Sequence, residues 1–94
     1  MNEEEARHAV EHAPENLLTD EESAALTAFF TYHPPTPLNV AQYAAINKAA
    51  LHFATVVMEQ CPKCPDRSAA VRLIREARMT ANAGIATRGA KLPY

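Results

Sequence analysis

A tyrosine in a proline-rich loop is the first residue of this sequence that could do ligand chemistry. Tyr32 is followed by His33, Pro34 and Pro35. Because proline fixes its own φ and restricts the residue before it, a ring in such a loop loses little entropy when it orders on a flat ligand. The loop stands at the mouth of a predicted helical hairpin whose two helices are rich in alanine. Such helices approach closely and leave little room between them, so we expect any site at loops, helix ends or subunit boundaries.

Two cysteines, Cys61 and Cys64, have the two-residue spacing of a zinc knuckle or a redox pair. A structural zinc site needs four ligands, and neither His33 nor His52 stands at a recognisable spacing from the pair. We therefore favour an exposed hinge without zinc. A close pair of this kind also fits a reducing compartment better than a secreted disulfide scaffold.

Other residue types give weaker signals for chemistry. His8 and His12 stand four residues apart, as on one helical face, but two imidazoles without carboxylate support favour surface histidines over a metal site. The sequence has no Ser-His-Asp order, paired-carboxylate motif or glycine-rich phosphate loop. We therefore predict a protein that is not an enzyme and that uses no cofactor or metal.

Charge is divided unevenly along the chain. Residues 1–47 carry eight acidic residues and one arginine, a net charge of −7, whereas residues 48–94 carry eight basic and three acidic residues, a net charge of +5. This asymmetry indicates either an anionic ligand on the second half or an acidic segment folded over it. Arg72, Arg75 and Arg78 recur every three residues and could follow DNA phosphates, but the neighbouring Glu76 and the acidic half favour ion pairing.

Length and composition favour one small domain that associates with itself. The chain has 94 residues and no tryptophan, so its core gives only marginal stability unless a cross-link, a metal or association supplements it. Much of its apolar content is alanine, which buries little area per residue, and self-association is the simplest remedy. The sequence begins with no basic-then-apolar signal and contains no run long enough to span a bilayer, so we predict a cytoplasmic protein.

Periodicity predicts an all-α fold that consists of an antiparallel helical hairpin after a shorter N-terminal helical segment. An acidic helix over Asn2–Ala13 belongs to a predicted N-terminal extension, residues 1–18, and the hairpin domain occupies residues 19–94. Thr19 and Glu22 match a capping box for a helix that ends near Phe30. The prolines at 34, 35 and 37 then predict an extended turn.

The two long helices follow from apolar stripes and terminal signals. Asn39 is the predicted N-cap of the first, with Gln42 at N3, and this helix ends near Cys61. Pro65 is the predicted first residue of the second, and Gly89 is its predicted stop. The predicted core stripes are Tyr43, Ile46, Ala50, Phe53 and Val57 on the first helix, and Val71, Ile74, Ala77, Ala81 and Ile85 on the second.

Several short motifs in the last two thirds of the chain carry a resemblance to a known family. They are Tyr32-His33-Pro34-Pro35, the helix start from Tyr43 to Ala50, Cys61-Pro62 followed by Asp66-Arg67-Ser68, and Arg75-Glu76-Ala77 running into residues 79–86. These motifs resemble the helical hairpin domain of the phage anti-CBASS cyclic-nucleotide sponges, which is shared with the anti-Thoeris type 1 sponge. The resemblance implies an all-helical homohexamer that sequesters cyclic dinucleotides such as cGAMP, and cyclic trinucleotides as a second class, without cleaving them.

The resemblance also implies where a cyclic dinucleotide binds. In the family, a tyrosine near the loop stacks on a base and a lysine at the start of the long helix meets phosphate. The matching positions are Tyr32, with His33 beside it, and Lys48 or its neighbour Asn47. An aromatic platform and a cation are also what the π faces and phosphates of such a ligand require.

A separate trinucleotide site is implied where subunits of the family meet on the second helix. This site points to Thr80 and Asn82, and the arginine expected there has Arg78 and Arg88 as nearby candidates. We therefore predict a phage anti-defence protein that acts in the host cytoplasm on cyclic nucleotides. A phage structural or interaction module without a nucleotide ligand stays open as the alternative, and a small DNA binder with a basic face is a third interpretation.

Overall fold

The structure is a computed structural model that describes residues 2–3 and 15–94. Within residues 15–94 it contains three helices and no strand: α1 (Asp20–Phe30), α2 (Pro37–Gln60) and α3 (Pro65–Ala86). The principal helix contact is between α2 and α3. This arrangement confirms the predicted all-α hairpin. The predicted helix over Asn2–Ala13 lies outside the described residues except at its first two positions, and His8 and His12 lie wholly outside them.

α1 begins at Asp20 because Thr19 and Glu22 form the predicted capping box. The Glu22 N–H donates to Thr19 Oγ1 at 3.1 Å, and the Thr19 N–H donates to Glu22 Oε1 at 2.9 Å. Asp20 and Glu21 add negative charge to the positive end of the helix. The helix ends at Phe30, as the sequence predicts.

The start of α2 differs from the prediction. Thr36, not Asn39, is the N-cap, and Pro37 is the first helical residue. The Asn39 N–H donates to Thr36 Oγ1 at 3.1 Å, and the Thr36 N–H donates to Asn39 Oδ1 at 3.3 Å, so Asn39 occupies N3 in place of Gln42. Proline is well suited to N1 because its φ is already helical and its missing N–H has no partner to lose there. The prediction was therefore wrong to extend the turn through Pro37.

Residues 61–64 form a hinge that brings α3 back along α2. Cys61 closes α2, with its N–H donating to the Val57 carbonyl at 2.9 Å, and Cys64 is the N-cap of α3. Pro65 is the first residue of α3, as predicted. Across the hinge, Arg67 Nη1 donates to the Met58 carbonyl at 3.3 Å. This bond satisfies one of the free carbonyls in the last turn of α2 and places a cation at its negative end.

The other end of α3 stops in a Schellman motif. Arg88 and Gly89 have positive φ values of 55° and 76°. The Gly89 N–H donates to the Gly84 carbonyl at 2.9 Å, and the Arg88 N–H donates to the Ile85 carbonyl at 3.2 Å. The predicted stop near Gly89 is confirmed, although Arg88 takes the first left-handed position, which glycine usually occupies.

The hairpin has very little interior of its own. Among the described residues only Ala25 is buried, at 6% exposure. The predicted core stripes are only half-buried where they meet, and Phe53 is 59% exposed while Ala77 and Ala81 are also exposed. The stripes were therefore predicted on the correct faces of α2 and α3, but a single hairpin does not cover them. A pair of helices encloses no core unless a third layer packs on it.

The C-terminal tail returns to α1. Tyr94 Oη donates to Glu22 Oε2 at 3.1 Å, and residues 90–94 line a hollow together with Phe29. This contact joins the last residue of the chain to the capping box of the first described helix.

Candidate ligand-binding site

Tyr32 lies in the loop between α1 and α2 with its ring open to solvent. The side chain is 80% exposed, and it forms no hydrogen bond with any other residue of the described ranges. The loop that carries it is fixed at one end by the Thr36 capping box and contains Pro34 and Pro35. The ring is therefore presented by a restrained backbone, which is the geometry that a stacking platform requires.

His33 anchors this loop. Its Nε2–H donates to the Ala28 carbonyl at 2.7 Å, and the residue is half-buried. This bond satisfies a free carbonyl in the last turn of α1 and fixes the imidazole tautomer. The structure thus gives His33 a positioning role for its neighbour Tyr32, and direct contact of His33 with a ligand stays a prediction.

Three predicted site residues meet between α2 and α3. Asn47 Oδ1 accepts one hydrogen bond from Arg78 Nη1 at 3.4 Å and another from Asn82 Nδ2 at 3.3 Å. Arg78 and Asn82 are one helical turn apart on α3, so their side chains lie on the same face and reach the same acceptor. The Asn82 Oδ1 atom is buried and has no hydrogen-bond partner. This group of Asn47, Arg78 and Asn82, here called the amide cluster, therefore contains one cation, Arg78, and one unpaired acceptor, Asn82 Oδ1.

Lys48 follows Asn47 in the sequence but is not part of this cluster. It is exposed, and its side chain forms no hydrogen bond with another described residue. Successive helical residues point about 100° apart, so Lys48 leaves the α2–α3 contact and reaches solvent. Its ammonium group is available to an anionic ligand.

The structure separates the other two predicted site residues from the amide cluster. Thr80 is exposed on α3, and residues two apart on a helix point about 200° away from each other, so it faces away from Asn82. Arg88 is exposed beyond the end of α3 in the Schellman motif. Within one chain, therefore, only Asn47, Arg78 and Asn82 of the eight predicted residues contact one another.

An apolar groove runs along one side of the hairpin beside the amide cluster. Its volume is about 610 Å³. Exposed Phe53 and Leu73 lie in it, and Arg78 is its one charged lining residue. The complete lining is Ile46, Ala49, Ala50, Phe53, Ala70, Leu73, Ile74, Ala77, Arg78 and Ala81. The sequence predicted most of these residues as core and predicted little room beside the alanine-rich helices. The groove is open because alanine side chains leave gaps between the larger ones.

A contact between the Glu22 carboxylate and the Tyr94 hydroxyl joins two segments that are far apart in the sequence. Hydrogen bonds from the Thr19 N–H and then from Tyr94 lower the pKa of Glu22, and the same carboxylate raises the pKa of Tyr94. No sequence signal joins these residues, which lie at opposite ends of residues 15–94.

The described ranges contain no candidate metal site, because no three His, Cys, Asp or Glu side chains there lie close enough to hold an ion.

A comparison of the sequence with models of known protein families tests the family resemblance that the motifs indicated. Residues 22–86 match the family model described as Acb2/Tad1, hairpin domain. The chain belongs to this family. The matched residues begin in α1, contain the Tyr32 loop and the whole of α2, and end with the last residue of α3. The predicted membership in the anti-CBASS and anti-Thoeris sponges is thus confirmed.

The family match stands alone among the comparisons. No curated protein and no solved structure matches the chain significantly. The family boundaries place seven of the eight predicted site residues inside the matched domain and leave Arg88 two positions beyond it. None of the described helices is long and apolar enough to cross a membrane.

Proposed function

We propose that this protein is a phage anti-defence sponge that binds cyclic oligonucleotide second messengers and holds them without cleavage. Depletion of the free messenger would block CBASS-type immune signalling in the cytoplasm of the infected host. The observation that carries the proposal is the family match over residues 22–86, which contains an exposed aromatic ring and an unpaired lysine. We propose cyclic dinucleotides as the principal ligand class.

Tyr32 and Lys48 supply the chemistry for a cyclic dinucleotide. The exposed Tyr32 ring stacks on a base, and the free Lys48 ammonium group pairs with phosphate. Lys48 is eleven residues beyond the start of α2, which is roughly 16 Å along the helix axis. This separation favours a site in which Tyr32 of one copy and Lys48 of another contact the same ligand.

The apolar groove supplies a reason for the copies to associate. Leu73 is 62% exposed and Phe53 is 59% exposed, and both lie in one groove that contains a single charged side chain. Apolar surface removed from water contributes about 25 cal/mol per Å², so burial against another hairpin stabilises a hairpin whose described residues form almost no interior. We propose a homo-oligomer, with the homohexamer of the related sponges as its form.

The amide cluster is the proposed second site, for cyclic trinucleotides. Asn82 Oδ1 is an unpaired buried acceptor, which the exocyclic amino group of a base can satisfy, and Arg78 offers a nearby cation. Thr80 faces the other way on the same helix, so it joins this site only from a neighbouring copy. Arg88 is the alternative source of the cation.

A calorimetric titration with a panel of cyclic dinucleotides and trinucleotides tests the function and the first site together. Tyr32→Ala is expected to lose about 1–3 kcal/mol of dinucleotide binding, whereas Tyr32→Phe keeps most of it because the stacking face is retained. Lys48→Ala is expected to weaken every cyclic dinucleotide and to flatten the salt dependence of the affinity.

Two matched variants control for surface chemistry alone. Phe30→Ala removes a ring that is 85% exposed just before the loop, and Lys63→Ala removes an exposed lysine in the hinge. Both are expected to bind as the parent does. Equal loss in Phe30→Ala and Tyr32→Ala would reject the site assignment, and a parent protein that binds no cyclic nucleotide would favour the phage interaction module, for which the exposed apolar groove is the supporting feature.

A further inference from the structure

The hinge holds two thiols between the ends of two packed helices. Cys61 is the last capping residue of α2, Cys64 is the N-cap of α3, and only Pro62 and Lys63 separate them. Both cysteines are free and half-buried, and they lie three positions apart in the same short hinge. The packing of α2 on α3 and the bond from Arg67 to Met58 fix the helix ends that carry them. The fold thus holds the two cysteines at one helix junction.

The two thiols are not equivalent. The N–H groups of Arg67 and Asp66 at the start of α3, and the nearby Cys61 thiol, lower the pKa of Cys64. Burial raises the pKa of Cys61, and the nearby Cys64 thiol acts in the same direction. The charged side chains that act on the pair are Arg67, which favours both thiolates, and Asp66, which opposes that of Cys61. At neutral pH, Cys64 is therefore the thiol that more readily becomes a nucleophile.

We propose that Cys61 and Cys64 are a redox-active dithiol, which a low-molecular-weight disulfide such as oxidised glutathione converts to an intramolecular disulfide that closes the hinge. This site is separate from the proposed nucleotide sites and does not depend on them. The sequence favoured an exposed hinge, and what changes the interpretation is that both cysteines are half-buried and cap the ends of two packed helices at a fixed junction. In the described ranges no third ligand approaches the pair, so soft-metal binding by one chain has less support.

Oxidation takes place in two exchange steps. The Cys64 thiolate attacks one sulfur of oxidised glutathione, forms a mixed disulfide and releases one glutathione thiolate. The Cys61 thiol gives its proton to solvent, attacks Cys64 Sγ and displaces the second glutathione thiolate. The protein dithiol loses two electrons and two protons, and one oxidised glutathione becomes two reduced ones. Cys61 is the resolving residue because it lies in the same hinge, three positions before Cys64.

Mass spectrometry of the intact protein, quenched with acid at intervals after addition of oxidised glutathione at pH 7, tests the proposal. The parent protein is expected to lose the mass of two hydrogen atoms and to accumulate little glutathione adduct. Cys61→Ser keeps the nucleophile but lacks the resolving thiol, so it stops at an adduct of one glutathione. Cys64→Ser keeps the less reactive thiol and is expected to form its adduct about tenfold more slowly than Cys61→Ser.

Each alternative outcome contradicts a stated part of the proposal. A parent protein that accumulates the glutathione adduct, or that forms disulfide-linked dimers, does not place its two thiols for ring closure. Equal adduct rates in the two single variants would remove the assignment of Cys64 as nucleophile. The helical circular dichroism of each variant is recorded first, and the parent reaction alone decides ring closure if a variant does not fold.

Discussion

Asn47 shows how one side-chain atom joins two helices. A carbonyl oxygen has two lone pairs, and Asn47 Oδ1 uses them for Arg78 and Asn82 at the same time. The donors come from successive turns of α3, so this single acceptor fixes both the rotation and the register of that helix against α2.

Removal of this acceptor is expected to destabilise the hairpin. Asn47→Ala leaves two donors without their partner and is expected to cost about 1 kcal/mol, whereas Asn47→Asp keeps an acceptor beside Arg78 and retains most of the stability. Urea unfolding measures both. The neighbouring Lys48→Ala is the control, because the Lys48 side chain forms no hydrogen bond with a described residue. The free energy of unfolding of this variant is expected to change by less than about 0.5 kcal/mol. A loss in Lys48→Ala as large as that in Asn47→Ala would contradict this role for the amide cluster.

The contact between Glu22 and Tyr94 predicts a dependence of stability on pH at both ends of the range. The pKa of Glu22 is lowered in the folded state, so its contribution is present at neutral pH and is lost as pH falls through the folded pKa, below the ordinary value of 4.5. The pKa of Tyr94 is raised, so its contribution is present below the ordinary value of 10.0 and is lost as pH rises through the folded pKa.

Melting temperatures recorded from about pH 3 to about pH 11 check this prediction, because that range extends beyond the ordinary pKa values of both groups. Tyr94→Phe is expected to make the fall of the melting temperature smaller in the alkaline range (the alkaline limb) and also smaller in the acid range (the acid limb). Tyr32→Phe, which removes a hydroxyl without a hydrogen-bond partner in the described ranges, is the matched control and is expected to leave both limbs unchanged. An unaltered alkaline limb in Tyr94→Phe would show that the tail contact does not contribute.

At the scale of the element, the start of α2 depends on the reciprocal bonds between Thr36 and Asn39. Thr36→Ala is expected to lower the free energy of unfolding by about 1 kcal/mol, because the Asn39 N–H loses its acceptor. Thr55→Ala is the matched control. The Thr55 hydroxyl bonds to the Leu51 carbonyl inside α2, where alanine is the better helix former, so its stability should stay equal or rise. Urea unfolding distinguishes the two, and equal effects would mean that the capping box is not needed.

The same helix shows which parts of the fold the sequence could predict. The box at Thr19 and Glu22 has the usual glutamate at N3 and was predicted, whereas the box at Thr36 has Asn39 at N3. Asparagine is itself a preferred N-cap, so the pattern alone placed the helix start three residues too late. Pro65 was assigned correctly because a proline followed by Asp66 is a local signal for a first turn.

The candidate site was less accessible to sequence reasoning. Family resemblance supplied Asn47, Arg78 and Asn82 as separate candidates, but their contact depends on the register of two helices. The apolar periodicity of a single helix does not determine its register against another helix. The anchoring bond from His33 to the Ala28 carbonyl was missed for a related reason, since it depends on how the proline loop turns back on α1.

At the scale of the whole molecule, the almost complete lack of buried residues in the described ranges predicts assembly. Light scattering of the parent protein is expected to give a multiple of 10.3 kDa, because contact between copies removes the apolar groove from water. Leu73→Glu is expected to shift the protein toward the monomer, since a carboxylate in that groove would be desolvated on association.

Leu17→Glu is the matched control for assembly. Leu17 is 87% exposed, lies outside the apolar groove and precedes the residues that match the family. The same substitution there is expected to leave the oligomeric mass unchanged. A parent protein that is monomeric at micromolar concentration, or dissociation by both variants alike, would be inconsistent with assembly through this groove.

The short hinge between α2 and α3 also determines the order in which the hairpin can form. The contact between Arg67 and Met58 joins residues nine apart in the chain, whereas the contact between Asn82 and Asn47 joins residues thirty-five apart. Closing the shorter loop costs less entropy, so pairing should start at the hinge and proceed outward, with the amide cluster formed last. Substitutions beside the hinge should therefore slow folding, while substitutions at Asn47 should mainly speed unfolding.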